Sequence, residues 1–145
     1  MPEIDEKVNL IRDTIRKAVF DKAINSLAKV VIGSPNGTDG IFKAYDFVKS
    51  RVRFEEEPFG QDNYQYPTFT LKTGAGDCED VTMLLASLLR AQGYQVGIKL
   101  APRGKDRYHI WLVVNTSEGW LPLDTTIPEP AGSEIRAEWT KVYPV

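Results

Sequence analysis

The sequence predicts an α+β fold, with helices first and a small antiparallel sheet after them. Two observations carry this prediction. Up to Gly93 apolar residues recur every three or four positions, the spacing that lines one face of a helix. After Gly93 the period shortens towards alternation in YQVGIKLAP, RYHIWLVVN and GWLPLD, which read as three short strands.

Each element has its own signal. Ile4, Val8, Ile11, Ile15 and Val19 line an amphipathic first helix. Ile24, Leu27 and Val31 extend the pattern, as a second helix or a bent continuation. GSPNGTDG, residues 33–40, is a loop. It divides the chain into a helical extension, residues 1–33, and a core, residues 38–145. Thr38 or Asp39 can cap the next helix, whose stripe is Ile41, Phe42, Tyr45, Val48 and Val52. EEEPFGQDNYQYP, acidic and aromatic with two prolines, reads as irregular. GAGDCEDVTMLLASLLRAQG follows, with an apolar face of Val81, Leu84, Leu85, Leu88 and Leu89 and a stop at Gly93. The strands are joined by turns at PRGKD and NTSEG. The tail carries a proline-rich link and one more strand near Ile135–Tyr143.

A chain of 145 residues is expected to form one domain with a real core. It is 42% hydrophobic and 26% charged, ordinary for a globular protein. A net charge of −2 gives no general attraction to nucleic acid or anionic membranes. No apolar run reaches membrane-spanning length. A single cysteine cannot form an internal disulfide, and one His with one Cys is too few for a usual structural zinc site. No cofactor or metal is called for. MPEIDEKVNL has no signal-peptide pattern, so a cytoplasmic location is expected; a phage-associated or host-delivered protein would look the same.

The single cysteine, Cys78, stands between acids at the first turn of a helix, just after two glycines. A structural thiol normally sits among apolar neighbours. A helix N-terminus carries roughly half a positive charge, which favours thiolate. Asp77, Glu79 and Asp80 oppose it, and are expected to point outward or cap the helix. Asp77 at the N-cap would place Asp80 at the third helical position, closing a capping box. Gly74 and Gly76 allow a sharp turn and close approach of a substrate to the sulfur.

The only histidine, His109, lies mid-strand. A four-residue loop over residues 115–118 would set His109 directly opposite Asp124. Trp111, Val113, Trp120 and Pro122 would share their face, and Ile110, Leu112, Val114, Leu121 and Leu123 would face the core. Two- and three-residue loops are also common and remain open. An Asp beside a His fixes its tautomer, and a His beside a Cys can take its proton. Taken singly, a lone strand His is more often a half-buried aromatic, a lone Cys inert and an Asp before Thr-Thr a turn residue. Together Cys78, His109 and Asp124 favour catalysis.

GDCEDVTMLLASLLRAQGYQV, then HIWLVV, then GWLPLD resembles the transglutaminase-like cysteine enzyme superfamily. The match rests on Gly76, Cys78, Asp80, Gly93, His109, Trp111, Gly119, Trp120 and Asp124. It implies a papain-like core with a catalytic helix packed on an antiparallel sheet. It implies acyl transfer in which Cys78 attacks an amide carbonyl, His109 is base and then acid, and Asp124 orients His109. The Cys78 N–H and an upstream side chain, Gln65 or in reserve Tyr66, would hold the oxyanion. Trp111 and Trp120 are candidate pocket walls. Relatives often carry Pro after the catalytic Asp, where this chain has Thr125-Thr126. The chain shows no calcium-loop signature.

The reading that follows is a thiol amidohydrolase, a peptidase or amidase acting on a peptide or protein amide. The alternatives are a transglutaminase, where an amine replaces water, and a non-catalytic assembly module. An apolar tunnel over the sulfur would favour the transglutaminase.

Overall fold

The computed structural model describes residues 2–34, 37–56, 64–105 and 107–145. Helices α1 (Pro2–Ala18), α2 (Lys22–Val31) and α3 (Gly37–Arg51) come first. A two-residue strand β1 (Arg53–Phe54), helix α4 (Pro67–Thr73) and a second short strand β2 (Ala75–Gly76) lead into α5 (Cys78–Ala91). Four strands follow: β3 (Val96–Pro102), β4 (Tyr108–Thr116), β5 (Gly119–Leu123) and β6 (Lys141–Pro144). They form one antiparallel sheet in the order β5-β4-β3-β6, while β1 and β2 pair in parallel.

The centre of the molecule is α5. Its residues from Glu79 to Leu89 are all buried. Helices α1 to α4 pack against it, and so do β3 and β4. A helix covered on every side must be apolar nearly all round, and VTMLLASLL meets that requirement. Ser87 is tolerated because its hydroxyl donates back to the Met83 carbonyl at 2.6 Å. The helix ends as expected at Gly93, with φ +93°. The Tyr94 N–H reaches the Leu89 carbonyl and the Gly93 N–H the Arg90 carbonyl, which completes a Schellman motif.

Ile4, Val8, Ile11 and Ile15 of α1 are buried as the spacing predicts. Val19 lies beyond the helix end, and Ala18 takes the last core position. A separate helix α2 starts at an Asp21 cap, whose carboxylate accepts the Ala23 N–H at 2.9 Å. Helix α3 starts at Gly37, one turn into the expected loop, so Thr38 and Asp39 lie inside it and do not cap it. Phe42 is off the stripe and exposed. Helix α4 begins at Pro67, the last residue of the segment expected to be irregular, and runs over residues for which no element was expected; residues 57–63 of that segment lie outside the described residues. The last strand begins at Lys141, later than expected. Among the described residues no helix is long and apolar enough to cross a membrane.

The β4–β5 hairpin is tighter than a four-residue loop. Thr116 pairs with Gly119, so only Ser117 and Glu118 lie between the strands. Gly119 adopts φ +103°, and the Thr116 hydroxyl donates to the Gly119 carbonyl at 2.8 Å. The register is therefore two residues away from the expected one. Because side chains alternate with a period of two, the faces are unchanged. Ile110, Leu112, Val114 and Leu123 lie in the core, with Leu121 packed against them.

Candidate active site

Cys78 is the first residue of α5, and the turn before it is built by hydrogen bonding. Asp77 caps the helix by accepting the N–H groups of Glu79 and Asp80, both at 3.0 Å. Asp80 accepts the Asp77 N–H at 3.0 Å, which closes the expected capping box. The cap uses the second and third donors of the first turn and leaves the Cys78 N–H to other partners. Gly74 adopts φ +70° and ends α4. Gly76 serves packing: a Cβ there would lie 2.7 Å from the Asp80 Cβ.

The acids beside the thiol are not solvated, contrary to part of the sequence reading. Glu79 and Asp80 are buried. Glu79 forms an ion pair with Lys7 of α1. Burial, reinforced by the charges of Asp80 and Glu79, pushes the Asp77 carboxyl well above the ordinary carboxylate range. Of the acidic loop at residues 55–57, Glu55 is paired with Arg53 and Glu56 with Arg103 and Arg107. Glu57 lies outside the described residues.

His109 and Asp124 meet. His109 Nε2 is 2.7 Å from Asp124 Oδ2, and both residues are buried. The last β4–β5 pair is Leu112 with Leu123, so Asp124 lies just past it, diagonal to His109 and not opposite. Diagonal neighbours are about 7–8 Å apart along the backbone, within reach of these side chains. Burial alone would raise the Asp124 carboxyl. The hydrogen bond and charge of His109 and two donations from Thr126 outweigh it and hold the group below its usual value. Those donations reach Asp124 Oδ1 from the Thr126 N–H at 3.0 Å and its hydroxyl at 2.7 Å. With Nε2 engaged by a carboxylate it carries the proton, which leaves Nδ1 as the acceptor nitrogen of the neutral ring.

The thiol reaches the same strand. The Cys78 sulfur lies near the Ile110 N–H, a donor that favours the thiolate, one residue along β4 from His109. This donor is available because β5 stops pairing at Leu123 and leaves the edge of β4 open there. Cys78 is only partly covered as a residue. Burial nonetheless dominates its thiol and pushes it up to about 12, with Glu79 and Asp77 adding to the rise and Ile110 and Lys7 opposing it. The helix N-terminus does not deliver a resting thiolate, as the sequence had suggested it would. Desolvation wins.

The remaining candidates fall in other places. The Gln65 amide nitrogen donates to Asp80 Oδ2 at 2.9 Å and to the Ala75 carbonyl at 3.2 Å, and its backbone N–H donates to Asp80 Oδ1 at 2.9 Å. Both amide hydrogens are committed, so Gln65 braces the helix start and is not placed as an oxyanion donor. Tyr66 opens α4, and the charge that raises its hydroxyl, after burial, is Asp21 at the start of α2. Trp111 is fully buried, so it cannot wall a substrate pocket. It stacks on His109 with ring centroids 5.4 Å apart, and its indole N–H donates to Glu134 at 3.1 Å. Lys99 holds the same carboxylate at 2.9 Å. Trp120 pairs with Asn115 at the turn end of the hairpin, six residues and about 20 Å of strand from His109. It too is not a pocket wall.

Thr126, Glu134 and Lys99 were missed by sequence reasoning. The Asp-x-Thr spacing of Asp124 and Thr126 was a usable signal, since a Thr two residues after an Asp can return a hydrogen bond. Glu134 carried none, because its link to Trp111 depends on how the tail folds back.

A cysteine at the start of a buried helix, set against an antiparallel sheet that carries a His–Asp pair, defines the architecture of transglutaminase-like thiol proteins. The model of the transglutaminase-like superfamily matches residues 25–125, and the chain belongs to this superfamily. Solved structures share the fold. A candidate cysteine protease from Cytophaga hutchinsonii aligns with TM-score 0.59 and 17% identity over 77% of this chain and 42% of its own. A candidate protease from Parabacteroides distasonis aligns with TM-score 0.60 and 13% identity over 81% of this chain and 26% of its own. The chain thus spans less than half the length of either. Legionella pneumophila LapG, EGTA-treated, gives TM-score 0.60 and 20% identity over 93% of this chain and 79% of its own. No curated protein matches the chain significantly.

LapG has also been solved with calcium bound. Among the described residues of this chain no three His, Cys, Asp or Glu side chains group as a metal site. Asp80 is already held by Gln65 and Asp77, and Glu79 by Lys7. These residues do not fit a calcium site as they stand.

Proposed function

We propose that the chain is a thiol-dependent amide hydrolase, a peptidase or amidase working through an acyl-enzyme on Cys78. The observation that carries this reading is the buried His109–Asp124 pair on the sheet, next to Ile110, whose backbone N–H lies near the Cys78 sulfur. The protease-like fold of the neighbours supports a peptide or protein substrate.

The thiol rests protonated, so attack and proton transfer go together. The Cys78 sulfur bonds to the amide carbonyl carbon as its proton passes to His109 Nδ1. Asp124 stabilises the imidazolium and keeps Nδ1 turned to the reaction. The carbonyl oxygen, now negative, is met by the Cys78 N–H. The imidazolium then returns its proton to the leaving amine as the C–N bond breaks, leaving a thioester. Water, activated by the same imidazole, releases the acid and restores the thiol.

Transfer to an amine would use the same residues. It loses support because neither Trp111 nor Trp120 forms a wall over the sulfur. The test is incubation with glutaminyl peptides and a tagged amine, read by mass. Hydrolysis predicts acid product and a thioester on Cys78; tagged product would establish the transferase. No thioester and no product with any peptide amide would leave the non-catalytic module.

A further inference from the structure

Asp124 is the last residue before a stretch that no strand supports. Its side chain has partners in His109 and Thr126, but the backbone from residue 124 to 130 leaves the sheet after Leu123. Pro128 and Pro130 lack N–H groups, so this segment is poor in donors of its own. Three of its carbonyls accept from helix α3.

Lys49 Nζ donates to the Ile127 carbonyl at 2.9 Å, to the Glu129 carbonyl at 3.2 Å and to the Tyr45 hydroxyl at 3.1 Å. An ammonium has three hydrogens, and all three are placed. The Tyr45 hydroxyl, buried at 3% exposure, shares its hydrogen between the Asp124 carbonyl at 3.4 Å and the Glu129 carbonyl at 3.3 Å. Lys49 also lies 5.4 Å from the centre of the Tyr45 ring. One cation and one phenol, a helical turn apart on α3, thus grip three carbonyls of the segment, beginning with that of Asp124 itself.

We infer that Lys49 and Tyr45 are positioning residues for Asp124: they fix the backbone from which its carboxylate reaches His109, and touch neither ring nor thiol. This rests on the proposed Cys78–His109–Asp124 site and adds two residues to it. A hydrogen bond to a charged donor is stronger than one between neutral groups, so Lys49 is the larger contributor. Removing it frees the segment to rotate at Asp124 and lengthens the Asp124–His109 contact.

The sole histidine makes the test unambiguous. Proton NMR of wild type should show a downfield His109 Nε2–H resonance protected by Asp124. In Lys49→Met this proton should exchange with water about tenfold faster or more, with the helical circular dichroism unchanged. Lys49→Arg, which keeps charge and donors, should recover part of the protection. Tyr45→Phe, which removes one hydroxyl only, should give an intermediate rate. Because no turnover is involved, a chain without hydrolase activity that shows this series would retain the clamp and lose only the proposed function. Wild-type protection in folded Lys49→Met would overturn the inference. Should Lys49→Met not fold, wild-type protection in Tyr45→Phe would overturn it.

Discussion

Asp124 carries two burdens, orienting His109 and existing as a buried anion. Its carboxyl is held below the ordinary range although burial opposes this. A depressed carboxyl contributes stability that is present above the unfolded-state value, near 4, and is lost as pH falls through the folded-state value. Asp124→Asn should therefore cost about 1.5–3 kcal/mol at pH 7, the range for a hydrogen bond to a charged group. The difference from wild type should shrink as the pH is lowered below about 4. Urea unfolding of both proteins from pH 7 down to pH 3 checks this. A constant difference across the range would mean that Asp124 is not the anion described. Trp111 acts at the same scale: Trp111→Phe keeps a ring against His109 but leaves Glu134 without its indole partner. A loss of about 1 kcal/mol is expected, read by the same unfolding curves.

The helix start at Cys78 is decided by its cap. Asp77→Ala removes the acceptor of two first-turn N–H groups and should cost about 0.5–2 kcal/mol. Gly76→Ala should cost at least as much, because the new Cβ meets Asp80 at 2.7 Å and pushes the other half of the capping box away. Thermal melts of the two variants check the pair; an unperturbed Gly76→Ala would contradict the packing given to this glycine. This turn was readable in the residues, since Asp77, Asp80 and Gly93 are local signals that act within one helix. The strand faces were readable too, because alternation survives a two-residue error in loop length. What the hairpin did not reveal was that Thr116 closes a two-residue turn, as loop length leaves no trace in the apolar pattern. PTFTLKT is too short for a helical period to stand out, so α4 went unseen. Trp111 and Trp120 looked alike as strand tryptophans. Only the finished register separates the one stacked on His109 from the one near the turn.

The extension that precedes most of the family match is not peripheral in the folded molecule. Helix α1 lies against α5, buries Ile4, Val8, Ile11 and Ile15, and sends Lys7 to Glu79 beside Cys78. Removing α1 should strip these side chains from the core and leave residues 22–145 without a cooperative urea transition. Lys7→Met is milder. It leaves the Glu79 carboxylate without this cation, at a cost of about 1–3 kcal/mol, less than a fully buried pair would show, because the Lys7 side chain is 23% exposed. Two such helices were legible as amphipathic segments, but their place against α5 was not, since an apolar stripe states that a face is covered without stating by what.

All of these contacts converge on whether the imidazole of His109 takes the proton of Cys78. Alkylation of Cys78 by chloroacetamide, followed across pH by intact mass in wild type and His109→Ala, measures that transfer without a substrate. The thiol alone, held up to about 12, should react only as the solution becomes strongly alkaline. Wild type should show an added component near neutral pH that disappears in His109→Ala, leaving the alkaline limb. Superimposable profiles for the two proteins would mean that His109 does not act on Cys78.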